Sequence, residues 1–423
     1  MERLPRTTDF SEIRRNVDEL HEASQILQEY QRNPEEFWIS KHEVIARGLS
    51  KRFDDSPHPE NQIIIPIHRN LDDLGPLLLA LAGQKFDEIG TTRLTFIMHN
   101  NNGKYGKERD FSWDIAESLK KRGAPIDIQE LSDPLLTGPF ISWQYGLAIN
   151  QATSICAVLD ADSIPTKNWF SALIKPLALN PSTLASAGRR IHIQTTPVDK
   201  LIRTIHTVRD YSDYIRGEEN SAEFTGGQAA YRSDRIREEV KKIYGLPDGD
   251  TLLSNIITEE YGKDAIKFAH APVLNIVTNP VRIQSRLELT RKIKKAATLF
   301  APKPVRDRLV PPVTEEEQNQ YAIRRIRQYS PWSRDIIDAF QLANTQRREF
   351  TTTDALDMFA QTAKLDGFYE NSHVQKLLTE GLPDTVLTGE SLFTMLHHIG
   401  SQSLGPTLKE HIHRSQVNEI SVY

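Results

Sequence analysis

The apolar positions of this chain change their spacing twice. Near the N-terminus Ile13, Val17, Leu20 and Leu27 recur at helical intervals, behind an Asp9–Glu12 capping pair. Asn33-Pro34 stops that helix, and a second helical segment runs from Glu35 to about Phe53. The polar stretch Asp54–Pro59 reads as a linker, so residues 1–59 are expected to form a helical extension.

From Asn61 short apolar runs alternate with helical patterns. The runs are Ile63–Ile67, Leu94–Met98, Ile126–Ile128 and Ile155–Leu159. Helical patterns lie around Leu77–Leu81, Trp113–Leu119 and Trp143–Ala152. Strands that are apolar on both faces and alternate with helices predict a doubly wound, mostly parallel α/β sheet over about 60–285. In such sheets ligands bind beyond the carboxyl ends of the strands.

Past Arg286 the strands stop. Nine Lys/Arg against two acids lie between Arg282 and Arg308, and Pro302, Pro304, Pro311 and Pro312 follow, so 286–313 reads as a basic, Pro-rich connector. The rest, 314–423, reads as an all-helical domain. Its helices are expected at Tyr321–Tyr329, Ser333–Ala343, Thr353–Leu365 closed by Gly367, and Glu390–His398 closed by Gly400. The basic connector is a candidate for peripheral contact with anionic lipid, although a solvated helix face is the simpler reading.

Composition narrows the class. The 423 residues carry 52 Lys+Arg against 57 Asp+Glu, a net charge of −5, which argues against a nucleic-acid binder. The single cysteine, Cys156, sits in an apolar run and excludes an intramolecular disulfide or a Cys-rich zinc site. No secretory leader and no 18-residue apolar span are present, so a cytoplasmic location is expected.

The sharpest chemical signal is Leu159-Asp160-Ala161-Asp162-Ser163-Ile164-Pro165. An apolar strand runs directly into two carboxylates at i and i+2, which repel unless they share a cation. Hard oxygen donors suit Mn²⁺ or Mg²⁺ and leave positions open for phosphate oxygens, whereas the plainer reading is an acidic turn. Asp250, with Asp248 nearby, precedes a helical run and reads either as a base or as a helix N-cap. Gly226-Gly227 would let a ligand approach the backbone closely, or make a tight turn.

In the order of these motifs the stretch from Asn61 to about Arg286 resembles the family-2 nucleotide-sugar glycosyltransferases, of GT-A fold. The matching segments are Ile63–Arg69, Phe96–Gly103, Leu159–Pro165 with Trp169, Phe224–Arg232, and Asp248-Gly249-Asp250. The resemblance implies a Rossmann-like catalytic domain and a nucleoside-diphosphate sugar donor, UDP ahead of GDP. It implies Pro66, His68, Arg69, Asn100, Asn101 and Asp160 around the donor, with Arg282 and Arg286 over its diphosphate. Asp160 and Asp162 would hold the metal, with His270 a further ligand if the enzyme is a retaining relative. Asp250 or Asp248 would be the base of an inverting one, and Gly226, Gly227 and Trp169 would meet the acceptor. Two departures stand out: the second strand ends in Asn100–Asn102 instead of an acidic pair, and the later acids are spaced Asp-Gly-Asp.

Two other classes remain open on sequence. A nucleotidyltransferase should carry a Gly-rich basic loop after the first strand, and Pro66–Asn70 is not one. A non-catalytic scaffold would use the helical ends as interaction modules, and those ends are also candidates for a homo-oligomer contact.

Overall fold

The computed structural model describes residues 10–67, 71–86, 89–99, 111–133, 135–136, 139–193, 227–243, 249–276, 331–365 and 367–420. Helix α1 spans Phe10–Arg32 and α2 spans Pro34–Arg52. Asn33 separates them: its side chain accepts the Glu36 N–H at 3.2 Å, while Pro34 opens the next helix with a preset φ.

Eight strands form one sheet: β1 (Asn61–Ile67), β2 (Thr92–His99), β3 (Ile126–Leu131), β4 (Ile155–Leu159), β5 (Ser163–Pro165), β6 (Ala185–Ile193), β7 (Gln228–Arg232) and β8 (Ile266–Ile276). Their order is β3-β2-β1-β4-β7-β6-β8-β5. The first four are mutually parallel, β6 and β8 run the same way, and only β7 and β5 run against them. This is the mostly parallel, doubly wound α/β fold expected from the strand–helix alternation.

Period two sorts the core. Ile63, Ile65 and Ile67 face one layer, with α2, α3 (Leu71–Ala82), α4 (Phe111–Lys121) and α6 (Trp169–Leu179). Ile64, Cys156 and Val158 face the other, with α5 (Pro139–Ala148), α7 (Arg237–Lys242) and α8 (Gly249–Tyr261). The same second core continues without a break into α9 (Pro331–Thr345), α10 (Thr352–Leu365), α11 (Ser372–Glu380) and α12 (Gly389–Ile420).

Three expectations are corrected or sharpened. The N-terminal helices are no loose extension: Phe37, Ile45 and Leu49 share a core with Ile63 and Leu77. Gly400 closes nothing, because α12 runs through it to Ile420; buried Ile399, Leu404 and Leu408 supply packing that outweighs the roughly 1 kcal/mol penalty of a helical glycine. Gly367 does end α10, taking φ +78, and Phe368 N–H bonds back to Ala363. The helix expected at Tyr321–Tyr329 and the basic connector lie outside the described residues. Among the described residues no helix is long and apolar enough to cross a membrane.

One feature of the sheet decides where chemistry can sit. Strand β5 begins four residues after β4 ends, yet lies four strand intervals away in the pairing order. Four residues reach at most about 14 Å, whereas four intervals of a flat sheet measure about 19 Å. The sheet must therefore curl so that its far edge returns toward β4. Between Ala187 and Arg189 the partners on β8 jump from Phe268 to Pro272, so Ala269–Ala271 bulge opposite Gly188. A Cβ on Gly188 would stand 2.8 Å from the Ala271 carbonyl, so the curl requires glycine there.

Because α2 completes a core layer, Leu49→Ala should cost about 2–5 kcal/mol, as for a buried leucine in any core. Urea unfolding checks this; a loss under about 1 kcal/mol would mean that α2 packs loosely.

Candidate active site

The carboxyl end of β4 is built around a fixed turn. Val158 and Leu159 are wholly buried, and the chain leaves the sheet at Asp160. The Asp160 N–H donates to the Gly227 carbonyl at 3.0 Å, and the Asp160 carbonyl accepts the Ser163 N–H at 3.1 Å. Ala161 is buried between Asp160 and Asp162, both of which stay partly exposed. Register pairs Leu159 with Gln228, so buried Gly227 faces Asp160. The Asp160 carboxylate lies directly over that glycine: a Cβ there would fall 1.8 Å from Cγ and Oδ2 and 2.1 Å from Oδ1. The acidic turn and the glycine-rich segment, with Asp160 and Gly227 67 residues apart in sequence, are thus in contact.

Asp250 stands in the first turn of α8, whose Leu253 and Ile257 are buried in the core. Fully buried Tyr231, on β7, has its phenol pushed up, chiefly by burial and then by the charge of Asp250. The strand that opens beside Gly227 therefore also carries a ring close enough to feel Asp250. The backbone of His270 lies in the β8 bulge opposite Gly188. Pro66 is half-buried near the end of β1, paired with Ile97 of β2. The other candidates (His68, Arg69, Asn100, Asn101, Gly226, Asp248, Arg282 and Arg286) and the His270 side chain lie outside the described residues.

Trp169 requires a correction. It is 0 % exposed in the layer below the sheet, its ring centroid 5.9 Å from that of Phe170, and a side chain so enclosed offers no face to an acceptor. The resemblance implies that Trp169 meets the acceptor, but the first turn of α6 carries it inward. Trp143 is likewise a core residue.

One residue at this rim goes unassigned on sequence. His99, 2 % exposed, ends β2; its Nε2 meets the Leu136 carbonyl at 2.7 Å, and its Nδ1 meets the Ser142 hydroxyl at 2.5 Å. A carbonyl only accepts, so Nε2 donates, and the ring ties the end of β2 to α5. The only hint in the sequence is a polar residue closing an apolar strand. Nearby, α12 holds the segment after β3: His411 Nε2 lies 3.2 Å from Asp133 Oδ2, and the Tyr145 hydroxyl bonds the Ser415 hydroxyl.

The donor set fits a divalent cation of the magnesium kind. Among the described residues no group of three or more His, Cys, Asp or Glu converges as a metal cage. Two partly exposed carboxylates match an ion that keeps water and takes substrate phosphates as its remaining ligands.

Residues 62–238 match the family model for glycosyl transferase family 2. That match spans nearly all of β1 through β7, including Asp160, Asp162 and Gly227, so this part of the chain is similar to the family-2 glycosyltransferases. Among solved structures it is similar to a mycobacterial protein, with 14 % identity over 60 % of this chain and 77 % of that one, at TM-score 0.38. It is also similar to glucosyl-3-phosphoglycerate synthase from Mycobacterium tuberculosis in complex with Mn²⁺, UDP-glucose and phosphoglyceric acid. There the identity is 13 %, over 60 % of this chain and 82 % of that one, at TM-score 0.37. Nothing among the curated proteins matches the chain significantly.

The buried acids beneath the site set a pH limit. Burial pushes the Cys156 thiol well above its ordinary 9.0, with the Arg237 charge offsetting only part, and Tyr231 rises from 10.0. Both groups hold their protons more tightly when folded, so their contribution is intact below about pH 9 and is lost as pH rises further. Each group contributes a slope of about 1.4 kcal/mol per pH unit. Between pH 8 and 10.5, Cys156→Ala should lose about 2 kcal/mol less than the wild type in urea unfolding. Equal losses would put the thiol in contact with water.

Proposed function

We propose that the chain transfers a sugar from a nucleoside-diphosphate donor, UDP ahead of GDP, to an acceptor hydroxyl. The observation that carries this reading is the Asp160–Asp162 turn held against Gly227 at the carboxyl end of β4, inside the segment that matches family 2. Asp160 and Asp162 would hold Mn²⁺ or Mg²⁺, which when bound neutralises the charge growing on the departing diphosphate. Pro66, His68, Arg69, Asn100 and Asn101 would line the nucleoside, and Arg282 and Arg286 would close on the phosphates. The carboxyl ends of β1 and β2 are paired through Pro66–Ile97 and Ile67–Met98, which suits one ligand spanning both.

Asp250 is our candidate base. It would take the proton of the attacking hydroxyl as that oxygen bonds to the anomeric carbon and the diphosphate leaves from the opposite face, inverting the centre. It stands in the first turn of α8, close enough to Tyr231 for that ring to feel its charge. Asp248, two residues earlier in the sequence, is the reserve. A retaining course would use His270, whose backbone lies in the β8 bulge, as a further metal ligand.

Two measurements test the reading. UDP with Mn²⁺ at about 100 times its dissociation constant should stabilise the protein by about 2.7 kcal/mol, a melting shift of a few degrees. Asp162→Ala should abolish that shift, and no shift with UDP or GDP would overturn the assignment. For the base, Asp250→Asn should lower kcat by about 10²–10⁴ while the UDP–Mn²⁺ melting shift persists. Near-normal turnover in that variant would instead favour the retaining course.

A further inference from the structure

We infer that Gly227 is a positioning residue for the Asp160 carboxylate and not an opening for the acceptor, an inference that rests on Asp160 being a metal ligand as proposed above. A glycine can be required because its φ is left-handed, because a ligand must approach its backbone, or because another part of the protein already does. The first reason fails: positive φ is found at Gly123, Gly262, Gly367 and Gly381, and Gly227 is not among them. The second fails as well, because the space above the Gly227 Cα already holds Asp160, with Cγ and both carboxylate oxygens where a Cβ would stand. The third reason is left. Gly227 clears a seat, and the seat fixes where the carboxylate points.

The backbone cannot yield to make room. The Asp160 N–H is bonded to the Gly227 carbonyl at 3.0 Å, and the ladder continues at once through Leu159–Gln228, both wholly buried. The Asp160 side chain, with two torsions and a partly exposed end, is the element that can move. An alanine at 227 would therefore leave the sheet as it is and turn the carboxylate out of its seat. Asp162 would remain in place, but the pair would no longer present its oxygens together.

Mn²⁺ titration in the presence of saturating UDP, on the full chain, tests this directly. Gly227→Ala should weaken Mn²⁺ binding tenfold or more, close to Asp160→Ala, and the double variant should bind no worse than Asp160→Ala alone. The acceptor KM of Gly227→Ala should stay within about twofold of wild type, which a lost acceptor contact would not allow. Wild-type Mn²⁺ affinity in Gly227→Ala, or additive losses in the double variant, would overturn the inference. Urea unfolding of the metal-free proteins supplies a second readout. Gly227→Ala should lower the unfolding midpoint in the presence of Asp160 and leave it unchanged in the Asp160→Ala background. If wild type binds no Mn²⁺ with UDP, the metal reading fails, and the unfolding cycle alone decides whether residue 227 seats Asp160.

Discussion

The chain must pass from the middle of its sheet to the far edge within four residues, and the rest of the site depends on how it does so. A flat sheet would put that edge out of reach, so the half containing β6, β8 and β5 curls back over the end of β4. The turn from Asp160 to Ser163, the bulge at Ala269–Ala271 and the close approach of Gly188 to Ala271 are parts of that one accommodation. It leaves Asp160 bonded through its backbone on both sides, to Gly227 and to Ser163. A carboxylate on a backbone held in this way has little freedom left to lose when it meets a ligand.

Stability and positioning are supplied by different interactions. Two apolar layers sandwich the sheet, and each fully buried Leu or Ile in them contributes about 1.5–3 kcal/mol. The polar contacts at the rim are worth far less: the partly exposed His411–Asp133 pair belongs to the class of ion pairs contributing about 0–1 kcal/mol. What such contacts fix is geometry. His99 holds the end of β2 to α5, and α12 holds the segment after β3, so two neighbouring strand ends are tied to helices. The C-terminal helices thus complete one core layer and brace the rim at the same time.

The sequence reveals those parts that local pattern dictates. Strands β1, β2 and β4 are apolar on both faces and stand out, and the Asn33-Pro34 cap marks the α1–α2 boundary to the residue. Asp160 and Asp162 are legible because two acids directly after an apolar strand are costly without a partner. What long-range contact dictates is not legible. Strand β5 is three residues long, and β7 reads Gln-Ala-Ala-Tyr-Arg, with too little bulk to signal a strand until β4 and β6 flank it. Trp169 looks like an acceptor contact until α6 turns it inward, and Asp54–Pro59 looks like a domain linker until Leu49 is found beneath β1. Gly227 is visible as a glycine, but its reason lies in a side chain 67 residues earlier.

The reversal of strand direction between β4 and β7 is what makes that pairing possible. Beside a parallel neighbour, the exit of β4 would face the exit of another strand, and both chains would leave the sheet together. An antiparallel β7 instead brings its entrance to the same rim, so the residue before it meets the residue after β4. One exit and one entrance at adjacent positions let a side chain from the first lie across the backbone of the second, provided the second has no Cβ. The same reversal carries Tyr231 down into the core, where it feels the charge of Asp250 at the head of α8. The antiparallel β7 thereby connects the acidic turn, the glycine and the candidate base, which a wholly parallel order would have kept apart.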